Sequence, residues 1–372
     1  MQLSVQTLMN TLEQLAPKRY AFEWDHVGLQ LGSTQGIVTK IYVALDVNER
    51  VLEEAILMGA DFIVAHHPFI FKPLSAIRTD LPHGKMIEKA LRAGIRIFAA
   101  HTNLDIAAGG VNDALALRLG LMDTEILRIA GHESLEKLVV FVPQGHEDAV
   151  RSAIAQAGAG SIGNYSDCSF QSTGTGTFMP LEGTTPFIGR QEILERTAEI
   201  RLETIMSASI RTRVIRAMLK AHPYEELAYD VYPLLNENFT YGLGRIGYLS
   251  QAYSLMEFCQ LAKEKLGVDA VRVTGQLDQL VKKVAVCGGS GSELMHAAKF
   301  AGADVLVTGD LKYHEAQDAL ALGIAVLDAG HDATERVIVP VLCDYLQTKL
   351  TTAGFHIEVI ASTIETAPWS TL

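Results

Sequence analysis

Histidines and acids recur where apolar runs of this chain end. His66 and His67 follow DFIVA, and His101 follows IRIFAA with Asp105 four residues on. Asp310 follows ADVLVTG with His314 one helical turn beyond, and His331 follows IAVLDAG with Glu335 four residues later. Imidazoles and carboxylates without cysteine form a mixed nitrogen and oxygen donor set, suited to zinc, iron, manganese, cobalt or nickel. Five or six such groups exceed the roughly three protein ligands of a single catalytic zinc. Two divalent metal ions about 3.5–4 Å apart, bridged by a carboxylate and water, would use them all and activate water for hydrolysis. Taken singly, each residue has a plainer role: Asp105 could cap a helix, and Glu335 could be a favourable first-turn acid. Convergence on four strand ends is what points to metal.

Side chains so far apart in sequence can meet only if the elements before them lie side by side. Up to residue 126, apolar runs such as KIYVALDV, DFIVA and IRIFAA alternate with helical segments such as LMNTLEQLAP, ERVLEEAILMGA, HGKMIEKALRAG and VNDALALRLGL. Short β-branched strands between helices predict mostly parallel strands buried on both faces. The rhythm returns after about residue 245 in KKVAVCGG, ADVLVTGD and IAVLDAGH, so the two ends read as halves of one α/β layer structure. Open α/β sheets bind ligands beyond the carboxyl ends of their strands, which is where these histidines and acids fall.

The middle of the chain differs. Residues 160–190 are rich in Gly, Ser and Thr. Around them LEKLVVFVP, AEIRLETIM and LAYDVYPL read as strands, and HEDAVRSAIAQAG and SIRTRVIRAMLKAH as helices. That order predicts a ferredoxin-like α+β unit over 127–236, inserted into a discontinuous α/β core of 1–126 and 237–372.

Composition narrows the function classes. The chain has 372 residues, 48% of them hydrophobic and 20% charged, which excludes a disordered or fibrous protein. A net charge of −12 points away from a nucleic-acid partner. No apolar run reaches the roughly 18 residues of a membrane span, and no basic segment leads into an apolar one at the start. The four cysteines, Cys168, Cys259, Cys287 and Cys343, are too scattered for a disulfide framework or a cysteine zinc site. The expectation is a cytoplasmic protein acting on a small molecule.

Two further segments have alternative readings. CGGSGSE, Cys287 to Glu293, follows a strand and opens a helix, so amides near Gly289 and Ser290 could bind an anion. Without a Walker lysine it reads equally well as a tight structural turn. His222-Pro223-Tyr224-Glu225-Glu226 reads as a rigid turn or a ligand contact.

Trp24-Asp25-His26-Val27-Gly28-Leu29, AHHPFIF, HTNLDIAAGGVND, YGLGRIG, CGGSGSE, VTGDLKYHEA and DAGHDATE stand together in the order seen in the Nif-three-like family, which the chain resembles across both outer segments. Many of its members are labelled GTP cyclohydrolase I type 2 homologues. The resemblance implies a toroidal homohexamer, a trimer of dimers, with a dinuclear metal site in each subunit. It places His66, His67, Asp105, His331 and Glu335 on the family's metal ligands, with Glu335 as the expected bridge and His101 as a further ligand or a residue that orients one. The insert, with AHPYEELAYDVYPL, is similar to the PII-like or CutA-like module of longer members. Where the family usually reads WDN-x-G this chain has His26, so Trp24 and His26 join Gly289 and Ser290 as candidate substrate contacts.

The leading expectation is a metal-dependent hydrolase of a nucleotide-like molecule, with Asp310, His314 or His101 serving proton transfer. The alternative is a metal-handling or regulatory protein whose insert senses a small molecule without turnover. A plainer third reading has the metals only stabilising the oligomer.

Overall fold

The computed structural model describes residues 1–236 and 239–370. Contacts divide the chain into two compact units. One joins Met1–Ala130 to the segment from Tyr241 onward, and the other spans Gly131–Thr240. Glu237 and Leu372, the expected limits of the second core segment, lie outside the described residues.

The first unit is built on two sheets. In the five-stranded sheet the order is Glu358–Ala361, Lys40–Ala44, Phe62–Ala65, Arg96–Ala99, Gly28–Leu31. The first four are parallel, and Gly28–Leu31 closes one edge antiparallel. The six-stranded sheet runs Arg272–Thr274, Ala325–Asp328, Val305–Gly309, Leu280–Ser290, Thr240–Ser254, Met122–His132. Its Ala325–Asp328, Val305–Gly309 and Leu280–Ser290 strands are parallel, whereas Arg272–Thr274 and Thr240–Ser254 run antiparallel to their neighbours.

The central strands form because β-branched and apolar residues occupy both faces. Phe62–Ala65 and Val305–Gly309 are buried at every position. Helices then cover the faces with side chains at helical spacing, as Val5, Leu8 and Leu12 do from Val5–Leu15. Each such fully buried aliphatic side chain contributes roughly 1.5–3 kcal/mol. Ser4 starts that helix by accepting the Thr7 amide at 3.1 Å. Val111–Leu119 ends at Gly120, whose φ of 79° is the left-handed conformation that glycine adopts without strain.

This arrangement corrects the expectation of one layer structure with mostly parallel strands. The strands fall into two sheets rather than one, each sheet takes a strand from the other end of the chain (Glu358–Ala361 in the five-stranded, Met122–His132 in the six-stranded), and both are mixed. Strand–helix alternation fixes parallel neighbours but carries no information on which sheet a strand joins. Gly28–Leu31 and Glu358–Ala361, four residues each and only partly buried, present too little pattern to be read as strands.

The second unit has the order Leu135–Pro143 (strand), Glu147–Gln156 (helix), Ser169–Phe178 and Glu195–Ser207 (strands), Arg211–Ala221 (helix) and Tyr229–Pro233 (strand). This is the β–α–β–β–α–β order of a ferredoxin-like unit. Its antiparallel sheet runs Tyr229–Pro233, Leu135–Pro143, Glu195–Ser207, Ser169–Phe178. Leu138, Val140, Val142, Leu202 and Met206 on one face pack against Val150, Ile154, Val214 and Met218 of the helices. Ser169–Phe178 lies inside the Gly/Ser/Thr-rich segment and is mostly exposed, so it shows no alternation to read. Among the described residues, no helix is long and apolar enough to cross a membrane.

Candidate metal centre

The first unit brings residues from both of its sheets to one place. His66 and His67 extend the Phe62–Ala65 strand, and their amides still bond to the carbonyls of Ala44 (3.1 Å) and Leu45 (2.8 Å) of the neighbouring strand segment. His101 follows Arg96–Ala99, and Asp105 lies on the short helix Thr102–Ile106 behind it. From the other sheet, Ala325–Asp328 leads through Gly330 into the helix His331–Glu335. Asp310 follows Val305–Gly309.

Glu335 is the centre of the cluster. Its Oε1 lies 3.7 Å from His66 Nε2, while Oε2 lies 2.8 Å from His67 Nε2 and 3.0 Å from His331 Nε2. Asp105 Oδ1 stands 3.7 Å from His66 Nε2 on the Oε1 side. Among the described residues, three groups could each hold a metal ion, with donor atoms within 4.8 Å of one another: His66–Asp105–Glu335, His67–His331–Glu335 and His66–His67–His101. Two of the three share Glu335.

Other residues orient the side chains of the cluster. His66 Nδ1 donates to the Ala100 carbonyl at 2.9 Å, and His67 Nδ1 donates to Asp46 Oδ1 at 2.7 Å. His331 Nδ1 donates to Asp310 Oδ2 at 2.7 Å. In all three histidines Nε2 is therefore the atom presented to the cluster, the arrangement in which outer partners fix ligand rings at metal sites. His101 Nδ1 lies 3.1 Å from Asp25 Oδ2, and Thr102 donates to the same oxygen from its amide and its hydroxyl. Buried Asn112 donates to the Asp105 carbonyl (2.8 Å) and accepts the Gly288 amide (3.0 Å), tying the Asp105 segment to the glycine turn.

The glycine turn makes room for the cluster. A Cβ on Gly289, whose φ is +61°, would lie 2.2 Å from Glu335 Oε1 and 3.2 Å from His331 Nε2. On Gly309 it would lie 2.6 Å from the His331 amide nitrogen. The turn's own amides bond within the chain: Gly289 donates to Thr334 Oγ1 at 3.0 Å and Gly291 to Thr308 Oγ1 at 2.8 Å. Ser290 is exposed and paired in register with Gly309.

The electrostatics show a site in need of positive charge. His66 Nε2 and Asp105 Oδ1 are buried without a hydrogen-bond partner, and two carboxylates share the interior. Burial pushes Asp105 up to about 7, against the pull of His66. Burial works to raise Glu335 as well, but His66, His331 and His67 hold it well below the usual carboxylate range. For His67 burial opposes the charge, yet hydrogen bonds to Asp46 and Glu335 push it up to about 10. The hydrogen bond to Glu335 pushes His331 up to about 9. Without metal, protons on these two rings supply the charge that divalent cations would bring. Orphaned donors, imidazole–carboxylate chemistry and excess negative charge all fit a metal ion.

The remaining candidates sit around this cluster. Side-chain exposure rises from 1% at His66 through 22% at His67 to 38% at His331, so solvent reaches the cluster from the His331 side. Exposed Trp24 and Phe71 place their rings 6.0 and 6.3 Å from that of His101. His26 is exposed and its carbonyl accepts Gln30 Nε2 at 2.8 Å. His314 is exposed, bonded to Gln317 at 3.2 Å, and enters none of the three groups. Asp46 and Asp25 escaped the sequence reading, although each had a signal. Asp46 ends the apolar run VAL, and Asp25 lies between the two residues singled out in the WDHVG motif.

The fold and the cluster define a mixed α/β protein with a histidine–carboxylate centre that could hold metal. The Duf34/NIF3 (NGG1p interacting factor 3) family profile matches residues 3–368, and the chain belongs to that family. It is 49% identical over 365 residues, 98% of each chain, to a Halalkalibacterium halodurans protein named GTP cyclohydrolase 1 type 2 homolog. It is 47% identical over 367 residues, 99% of this chain and 98% of the relative, to a Bacillus subtilis protein of the same name. A crystal structure of a Bacillus cereus protein related to NIF3 superposes with a TM-score of 0.90 at 48% identity, covering 98% of both chains.

Proposed function

We propose that this protein is a metal-dependent hydrolase of a small nucleotide-like substrate, working with two divalent ions per chain. The observation that carries the reading is the division of Glu335, one oxygen toward His66 and the other toward His67 and His331. His66, Asp105 and Glu335 would hold one ion, and His67, His331 and Glu335 the other. Such ions supply Lewis-acid polarisation of a phosphoryl or carbonyl oxygen and lower the pKa of water.

The chain's own residues do the rest. Asp46 and Asp310 keep the His67 and His331 rings oriented. Trp24 and Phe71 offer exposed ring faces on which a heteroaromatic base can stack. His101, held at Nδ1 beside Asp25, is better placed than His314 to move a proton through its other ring nitrogen. The relatives' name, GTP cyclohydrolase 1 type 2 homolog, accords with a nucleotide-like substrate. Protein loaded in turn with zinc, manganese, iron, cobalt and nickel should turn over a member of a nucleotide and phosphoester panel. Asp105→Ala and Glu335→Ala should abolish that turnover. Inactivity of every metal form across the panel would sink the hydrolase reading. The ring-shaped hexamer belongs to the same proposal and is read by light scattering of the metal-loaded protein.

A second reading is favoured by the Gly131–Thr240 unit, which has its own core and cavity and, among the described residues, supplies none to the metal groups. In that reading the unit is a PII-like or CutA-like sensor, and a small molecule bound there changes metal exchange without turnover.

A further inference from the structure

The Gly131–Thr240 unit contains a cavity of about 640 Å³. Phe141, Glu199 and Arg201 line it and alternate along their strands with Val140, Val142, Ile200 and Leu202, so the cavity lies on the sheet face opposite the helices. The rings of Phe178 and Phe187 stand 5.8 and 6.2 Å from that of Tyr224, all three lining the same space.

Glu199 is the unusual residue there. It is only 9% exposed, and among the described residues no lysine, arginine or histidine pairs with it. Arg201, the one basic residue lining the cavity among the described residues, pairs with Glu203 at 3.1 Å. The hydrogen bond to the Glu199 carboxylate comes from Tyr224 Oη, 3.2 Å from Oε1. Burial, with Glu199 beside it, pushes that hydroxyl up to about 12, so it remains a donor. A Cβ on Gly176 would fall 2.1 Å from Glu199 Oε2, so the glycine is what lets the carboxylate occupy this position. Glu225 and Glu226 also line the cavity and add negative charge. The Glu199 carboxylate thus faces the cavity with a neutral hydroxyl as its partner and no basic side chain on it, which leaves its charge to be met by a cation that enters.

We propose that this cavity binds an organic cation, an ammonium or guanidinium group carried on an apolar or aromatic body. The charged group sits on Glu199, and the body packs against Phe178, Phe187 and Tyr224, whose ring faces also attract positive charge. Anionic nucleotides are disfavoured by the same carboxylates. The inference rests on the second reading above only for its regulatory consequence; the binding site stands on its own geometry.

The test uses three probes of one shape on the full chain: 3-phenylpropylammonium, 3-phenylpropanol and 3-phenylpropanoate, by titration calorimetry. The ammonium should bind about tenfold or more tighter than the alcohol, with the carboxylate weakest. Glu199→Gln should erase the preference for the ammonium while leaving the circular dichroism unchanged. Should that variant fold poorly, Phe187→Ala should weaken ammonium binding severalfold by removing part of the apolar wall. Equal binding of the three probes, no binding of the ammonium, or an undiminished preference in a folded Glu199→Gln variant would overturn the proposal. Metal transfer to a chelator, with and without the ammonium, separates the two ideas. Binding with an unchanged transfer rate supports the site and removes the sensing reading, whereas binding with a changed rate supports both.

Discussion

Gly289 and Glu335 are in direct contact, and the absence of a side chain at Gly289 is what leaves Glu335 its place: a Cβ there would lie 2.2 Å from Oε1. With φ at +61°, alanine at this position also carries backbone strain. Gly289→Ala should cost about 1–3 kcal/mol of stability and displace the carboxylate from His66. Thermal melting of the chelated protein reads the first effect and metal content per chain reads the second. A variant with wild-type melting and wild-type metal would show that the turn does not hold Glu335.

Because Glu335 belongs to two of the groups that could hold a metal ion and Asp105 to one, their substitutions should differ in kind. Glu335→Gln should bring metal content from about two per chain to well below one. Asp105→Asn should remove about one ion and spare the His67–His331 side. Elemental mass spectrometry on protein purified without a metal-affinity step decides it. Equal losses in the two variants would refute the shared role of Glu335.

Asp46 and Asp310 touch the centre only through His67 and His331. Asp46→Asn and Asp310→Asn should therefore leave the fold intact while weakening metal affinity about 10–100-fold. Competition with a chromophoric chelator measures this, and unchanged affinity in both would mean that those rings are oriented by packing alone.

The pH dependence of the chelated protein has a definite sign. His67 is raised from 6.5 to about 10, His331 from 6.5 to about 9 and Asp105 from 3.8 to about 7. In each case the folded chain holds a proton that the unfolded chain has released. The contribution of the two histidines is complete below pH 6.5 and is lost as pH rises through 9 to 10, and that of Asp105 is lost between 3.8 and 7. Melting temperature without metal should fall as pH rises from 6.5 to 9. Metal affinity should rise over the same range, because ligation needs the free imidazoles. A chelated protein whose melting temperature rises across that window would contradict the assignment.

The donors were legible in the chain because strand-end chemistry is local. His66-His67, His101 with Asp105, and His331 with Glu335 each follow an apolar run whose length and β-branching mark it as a strand, and the core helices carry their own apolar spacing. The strand–helix–strand order of the middle unit was legible in the same way, apart from the exposed Ser169–Phe178 strand.

Pairing between distant segments was not legible. Which sheet each strand joins, the approach of Asp46 to His67 and Asp310 to His331, and the fit of Gly289 against Glu335 join residues separated by up to 46 positions, or bring together two sheets. No local propensity encodes them. Which donor groups exist, and that strands end at them, follows from the order of residues along the chain. That two sheets meet there, that one carboxylate faces His66 on one side and His67 with His331 on the other, and that Glu199 lies in an aromatic cavity come from packing between distant segments. The reason is physical: secondary structure follows from nearest-neighbour backbone and side-chain preferences, whereas a site is made by packing, which depends on every surface that must be buried at once.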